Sequence, residues 1–205
     1  KPQQLLALST LDKALLDARG FVQPGDRVAV VVGLGTDPEL YRHRERVQLR
    51  ERLGLRPGDP GTPAQNALLD TVSDPGTSTS YVSNIGNIVA TRIASAWGFT
   101  GPAFTVSQGP HSVYRALAVA RDLLASGEVD AAVVAGVDLA ASAEALLIHR
   151  ELDGAGPYDT APRCRWDRAS TGRFPGEGAG ALVLKRAADA REGRVYAQLD
   201  AVVER

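Results

Sequence analysis

The chain predicts an α/β fold in which parallel strands are covered by helices on both faces. Three observations carry this. Ala131 to Val137 is an unbroken apolar run, as a strand buried on both sides requires. Val28 to Val32 is a second such run, dominated by β-branched valine. Around these runs, apolar residues recur at helical spacing instead of alternating. Helices linking parallel strands imply right-handed βαβ crossovers.

In chain order, Leu5, Leu8, Leu11, Leu15 and Ala18 define an amphipathic helix over Pro2 to Ala18, which Gly20 ends before a turn at Pro24-Gly25-Asp26. After the Val28–Val32 strand comes Gly33-Leu34-Gly35. A glycine pair after a strand suggests a dinucleotide loop, but the third glycine of that fingerprint falls at Pro38, so a strand-end turn is expected. Asp37-Pro38 then caps a charged helix. Between Tyr41 and Arg56 it carries six Arg against two Glu, which reads as a solvated face or as a local basic surface. Gly54 to Ser80 is rich in Gly, Pro, Ser and Thr and is expected to be a surface loop with one or two helical turns at Ala67 to Val72. Ile85, Ile88, Val89, Arg92, Ile93 and Ala96 mark the next helix, closed by Gly98.

The stretch Gly101 to Asp138 organises the chain as strand, turn, helix and strand. Pro102, Ala103, Phe104, Thr105 and Val106 form the first strand, and Ser107-Gln108-Gly109-Pro110 the turn. Val113, Ala116, Leu117, Ala120, Leu123 and Leu124 give the helix its buried face, with Pro110 expected in its first turn and Gly127 at its end. A strand running straight into a helix N-terminus is a common way to present a nucleophile, because unpaired amides and the helix dipole stabilise negative charge there. Further on, Ser142 to Leu147 predicts a helix and Gly154 to Ser170 an irregular stretch. The glycines of Gly176 to Gly180 suggest close backbone packing ahead of a strand over Ala181 to Lys185. Arg194 to Val203 alternates as a half-buried last strand would.

Composition narrows the function classes. The 205 residues are 44% hydrophobic and 23% charged, enough for a sizeable core in one α/β domain. A net charge of -1 gives no global reason to bind nucleic acid or a membrane surface. A single cysteine, without metal-ligand spacing around it, excludes an internal disulfide, argues against zinc and fits a reducing cytoplasm. No apolar run approaches the ~18 residues that span a bilayer. The chain starts without Met.

Gly101-Pro102, Thr105-Val106 and Ser126-Gly127-Glu128 with Asp130 match, without a gap, the motif GPS-x-TVDTACSSS…SGE-x-D of the β-ketoacyl synthases, the condensing enzymes of the thiolase superfamily. Cys164 to Lys185 (CRWDRASTGRFPGEGAGALVLK) resembles that family's CRPFD…DGFV-x-GEGAG-x-LVLK, and Pro2 to Ala18 its DPQQ helix. Ser80 to Ser107 is closer still to the ketosynthase-like and chain-length-factor domains of polyunsaturated-fatty-acid-type polyketide synthases. The resemblance implies a thiolase-type layered fold, mainly its N-terminal half, as a ketosynthase-like domain over residues 1–205. It lacks the opening strand and stops before the two catalytic histidines, as a fragment or ordered part of a larger protein would.

The resemblance also assigns roles. The register places Pro110 where the family has its nucleophilic cysteine, and the cysteine-less relatives share such a loss. Ser107 and Ser112 carry hydroxyls, but each would need a base in reach, and His111, the nearest histidine, is a neighbour that points elsewhere on the helix. Gln108 lies two positions before the cysteine register. The turn Ser107, Gln108, Gly109, Pro110, His111 and Ser112 thus reads as a degenerate site without a catalytic residue. Tyr81, Asn84 and Asn87 are substrate-tunnel candidates, with helix capping as the alternative. Cys164, Glu177 and Lys185 read as framework. No cofactor or metal is expected; the acyl-phosphopantetheine of a carrier protein is the implied ligand. An acyl carrier protein is an implied partner at the basic helix, and the strand Pro102 to Val106 is expected to pair with its counterpart in a homodimer or in an active ketosynthase. The function expected is a non-catalytic, chain-length-factor-type domain shaping its partner's acyl tunnel. The alternative is a ketosynthase-related acyltransferase or decarboxylase that acts on acyl-carrier-protein thioesters through another residue.

Overall fold

Seven consecutive buried residues, Val28–Leu34, make the strand around which the rest is layered. The computed structural model describes residues 2–35, 38–73, 82, 85–139, 141–152, 168, 176–190 and 194–203. Its elements are α1 (Pro2–Asp17), β1 (Val28–Leu34), α2 (Pro38–Arg52), α3 (Pro63–Val72), α4 (Ile88–Trp97), β2 (Ala103–Val106), α5 (Ser112–Ala125), β3 (Ala131–Leu139), α6 (Ala143–Leu152) and β4 (Glu177–Lys185). They fall into two compact units, Lys1–Gly35 with Gly86–Arg205, and Thr36–Ile85.

The larger unit holds a mixed sheet in the order β2-β1-β3-β4. β1 runs parallel to both β2 and β3, with Val31 opposite Phe104 and Val134, and β4 runs antiparallel to β3. Because side chains alternate across a strand, β1 and β3 feed two cores. Val28, Val30, Val32, Ala131, Val133 and Ala135 meet Ala7 and Leu11 of α1 and Val89, Ala90 and Ile93 of α4. On the other face Ala29, Val31, Ala132 and Val134 meet Ala116, Ala120 and Leu124 of α5. Complete burial of a side chain such as Ile93 stabilises by roughly 1.5–3 kcal/mol. In α1 the leucine stripe faces the core at Leu8, Leu11 and Leu15, with Ala7 buried beside it, but Leu5 is exposed. Gln4 is buried instead, its Oε1 accepting from Arg92 Nη1 at 2.5 Å.

Polar contacts clamp the end of the sheet where β1 and β3 begin. Arg27 N–H donates to Asp130 Oδ2, and Asp130 N–H to Arg27 C=O, both at 2.9 Å. Arg27 Nη2 also reaches Gly127 C=O at 2.9 Å, while Arg186 Nη1 donates to Leu124 and Val129 carbonyls at the end of α5. The Arg27 backbone and side-chain donors hold the Asp130 carboxyl below its ordinary pKa. Lys185 Nζ forms a largely buried pair with Asp26 Oδ2 at 2.8 Å and donates to Phe21 C=O at 3.0 Å. Asp130 and Lys185 thus sit in the framework.

The unit Thr36–Ile85 is a helix pair. Arg46 of α2 is buried, ion-paired with Asp70 of α3 at 2.8 Å and donating to Ser73 C=O. Thr62 and Gln65 form a reciprocal capping box that starts α3.

Several expectations need correction. Gly54 to Ser80 was expected to hold only a turn or two of helix; the capping box supports ten residues, Pro63–Val72. Ile85 lies outside α4, which begins at Ile88, and the helix expected at Ser142–Leu147 extends over Ala143–Leu152. Gly33 and Leu34 belong to β1 itself, not to a strand-end turn. A Cβ at Gly33 would lie 2.8 Å from Val113 N and 2.9 Å from Ser112 C, so the missing side chain is what lets α5 settle on the strand. Its ladder partner Gly136 receives the Val113 side chain in the same way. The close packing expected at Gly176, Gly178 and Gly180 is absent among the described residues: a Cβ there meets nothing within 4 Å, because β4 borders the sheet beyond α5, and the strand already starts at Glu177. Residues 194–203 form no strand. Their alternation meets no partner strand among the described residues, and Val195 and Val203 are exposed. Asp37, Cys164 and all of 154–170 except position 168 lie outside the described residues.

The two kinds of glycine separate in unfolding experiments. Gly33→Ala forces a methyl against fixed backbone and should lower stability by about 1–3 kcal/mol, read from the urea midpoint. Gly178→Ala, which meets open space, should change it by no more than ~0.5 kcal/mol.

Candidate functional site

The chain leaves β2 at Val106 and enters α5 at Ser112, and the five residues between them make a tight turn. Gly109, with φ +54, occupies the left-handed region that glycine adopts without strain. The turn closes through His111 N–H to Gln108 C=O and Ser112 N–H to Gly109 C=O, each at 3.2 Å. Pro110 therefore sits in the turn, ahead of the helix, not in its first turn as its sequence suggests. His111 occupies the N-cap position, its C=O accepting from Arg115 N–H at 3.0 Å.

Ser112 is the hub of this turn. It is 4% exposed, its Oγ donates to Gly109 C=O at 2.7 Å, and it accepts from Gln108 N–H at 2.9 Å. Both hydrogen-bonding roles of the hydroxyl thus go to the backbone, and attack on a thioester would require breaking them. Ser107, Gln108, Gly109, Pro110 and His111 are exposed. The His111 ring faces Tyr114 at 6.5 Å between centroids. Pro110 has no nucleophilic atom and no N–H. The arrangement offers an exposed helix start, where the dipole favours an anion or a polarised carbonyl, with Ser112 drawn inward. No group of three or more His, Cys, Asp and Glu among the described residues is placed to hold a metal.

Of the tunnel candidates, Tyr81 and Asn84 lie outside the described residues. Asn87 is exposed and stands directly before α4, yet its side chain makes no bond to that helix. Its Oδ1 accepts the backbone N–H of Thr105 in β2 at 2.9 Å. Neither this contact nor the Ser112 clasp is visible in residue spacing. The only hint for Ser112 is a small polar residue one step inside a helix start. Ala103, Phe104, Thr105 and Val106 are half-buried, and among the described residues their strand forms one border of the sheet.

A profile of the β-ketoacyl synthase N-terminal domain matches residues 1–190. The chain is similar to a polyunsaturated fatty acid synthase component of a Thraustochytrium species, 51% identical over 203 residues, which are 98% of this chain and 10% of that protein. It is similar also to the hybrid PKS-NRPS synthetase TAS1 of Pyricularia oryzae, 31% identical over 98% of this chain and 11% of that one. The chain thus spans about a tenth of the length of these curated relatives. Among solved structures, the PfaC keto synthase-chain length factor superposes with a TM-score of 0.73 at 33% identity, covering 91% of this chain and 20% of that one. The ishigamide ketosynthase/chain length factor superposes at 0.62 with 22% identity, over 93% and 45% of the two chains, a likeness of fold. The mixed sheet between helical layers is the thiolase-type arrangement of these neighbours.

The clasp at Ser112 has a direct test. Ser112→Ala deprives the Gln108 N–H of its acceptor and should lower stability by about 1–2 kcal/mol, seen as a shifted denaturation midpoint with helix content retained.

Proposed function

The chain belongs to the β-ketoacyl synthase family, and from that premise we propose that it acts as a non-catalytic, chain-length-factor-type domain, pairing with an active ketosynthase and shaping its acyl tunnel. One observation carries the proposal. In the ungapped register of Gly101-Pro102, Thr105-Val106 and Ser126-Gly127-Glu128, the place of the family's cysteine falls to Pro110, and the nearby buried hydroxyl, Ser112, is bound at both ends by backbone. The likeness to a polyunsaturated fatty acid synthase and to a keto synthase-chain length factor supports the same reading.

The pairing surface is β2. It borders the sheet, and no charged residue protects Pro102 to Val106 from strand addition. A two-fold contact would join the same strand of two copies of this chain, or of this chain and an active ketosynthase. The implied ligand is an acyl-phosphopantetheine on a carrier protein in the cytoplasm. An acidic carrier would meet the exposed Arg44 and Arg52 of α2, since Arg46 is committed to Asp70 and Arg50 donates to the Arg56 and Asp59 carbonyls.

Incubation with acyl thioesters, followed by intact-mass spectrometry, tests the loss of catalysis. We expect no covalent acyl group on the wild-type chain. We also expect no carbon–carbon bond formation by Pro110→Cys alone, because proximity of a second catalytic group is worth orders of magnitude in rate and no role for His43, His111 or His149 as that group is supported. Acylation of Ser107, Ser112 or Cys164 at a useful rate would instead establish the acyltransferase or decarboxylase alternative.

Sedimentation tests the pairing. Phe104→Lys should split the assembly or leave the protein insoluble, and because Phe104 also packs against the α5-side core, Thr105→Pro is the cleaner variant. That change deletes an N–H that faces away from β1, as a border strand tolerates, and should yield a folded monomer. A wild-type chain that is monomeric at micromolar concentration, with β2 covered by its own polypeptide, would overturn the pairing.

A further inference from the structure

Strand β2 is only four residues long, and its two edges are used differently. The inner edge is bound to β1, as in the bond from Val30 N–H to Pro102 C=O at 2.8 Å. The Thr105 N–H is turned the other way and is accepted by Asn87 Oδ1 at 2.9 Å. An outward backbone N–H on a border strand is the group to which an incoming strand adds.

Asn87 is placed oddly for its type. An Asn immediately before a helix ordinarily accepts from that helix's first N–H groups. Here the backbone C=O of Asn87 serves α4, accepting from Thr91 N–H and Thr91 Oγ1, each at 3.3 Å, while the side chain serves the strand. Asn87 is exposed, and an exposed side chain changes rotamer on a picosecond-to-nanosecond scale. The Thr105 donor is thus held by a group that can leave it without any movement of backbone.

We propose that Asn87 is a removable guard on β2: it satisfies the Thr105 N–H in the unpaired chain and yields that donor to the antiparallel β2 of a second copy. The proposal rests on pairing through β2 and adds the residue that sets its strength. At each Thr105, pairing exchanges a side-chain hydrogen bond for a backbone one, so no bond is gained there and the contact is held weaker than a bare edge would make it. A two-fold contact carries a guard on each chain, so changing the residue acts twice. Asn87→Ala removes the competitor from the unpaired state. Asn87→Asp replaces it with a carboxylate, a stronger acceptor for an N–H.

The experiment is sedimentation of the wild-type chain, Asn87→Ala and Asn87→Asp, with amide hydrogen exchange at Thr105 read by NMR. Asn87→Ala should tighten self-association on the order of tenfold, and Asn87→Asp should weaken it. An Asn87→Ala chain that associates no more tightly than wild type overturns the proposal. Guard and pairing separate in dilute monomer, where the Thr105 amide of Asn87→Ala should exchange several-fold faster than in wild type whether or not copies pair at higher concentration. An unchanged rate there also overturns the guard, while leaving pairing itself to the sedimentation of Thr105→Pro.

Discussion

The absence of two side chains governs how this molecule is put together. Gly33 and Gly136 are ladder partners in neighbouring strands, and together they make a notch in the sheet surface. The first turn of α5 lies in it, with Val113 filling the space that their side chains would occupy. The depth of that seat fixes where Ser112 stands, and Ser112 in turn fixes the path of the chain from Gln108 to the helix. Packing at van der Waals distance is unforgiving to a fraction of an ångström, so the turn inherits its precision from the sheet beneath it. The hydrogen bonds that close the turn come from backbone and from the Ser112 hydroxyl.

Much of this was legible in the chain. The Val28 and Ala131 runs are strands buried on both faces, and Ala116, Leu117, Ala120, Leu123 and Leu124 do present one face inward, while Val113 stays partly exposed. The terminating glycines Gly20, Gly98 and Gly127 all have positive φ. These features are local, and local pattern reports them well. What escaped was set by distant contacts. Gly33 reads as a turn residue because spacing cannot reveal a helix seated above it, and Gly178 and Gly180 read as close-packed because spacing cannot reveal that β4 borders the sheet. Residues 194–203 alternate as a strand does, yet alternation alone supplies no neighbour to bond with. The run is held instead by Tyr196, whose hydroxyl donates to Asp17 and whose phenol pKa is raised by that carboxylate.

The candidate site was legible in its register more than in its construction. The register of the flanking residues pointed to Pro110, but the commitment of the Ser112 hydroxyl and of the Asn87 amide needed atoms. The motif residue Lys185, expected as framework, is joinery, as are Asp130 and Arg186. Asp130 joins the start of β1 to the start of β3 through Arg27, Arg186 closes the end of α5, and Lys185 ties β4 to the loop before β1 through Asp26. A chain can therefore keep the scaffold of an active site on physical grounds that have no bearing on catalysis.

The order of strands in the sheet carries a consequence for biosynthesis. β1 leaves the ribosome well before both of its neighbours, β2 and β3, which are encoded roughly 70 to 110 positions later. Until Val106 has been translated β1 has no partner from this sheet on either side, until Val137 it lacks its full ladder with β3, and the Lys185–Asp26 tie spans 159 positions. Domains whose pairings are this remote in sequence fold slowly and display sticky strands meanwhile. The valine run that gives the finished sheet its centre is, during synthesis, a segment that depends on shielding by the ribosome and by chaperones.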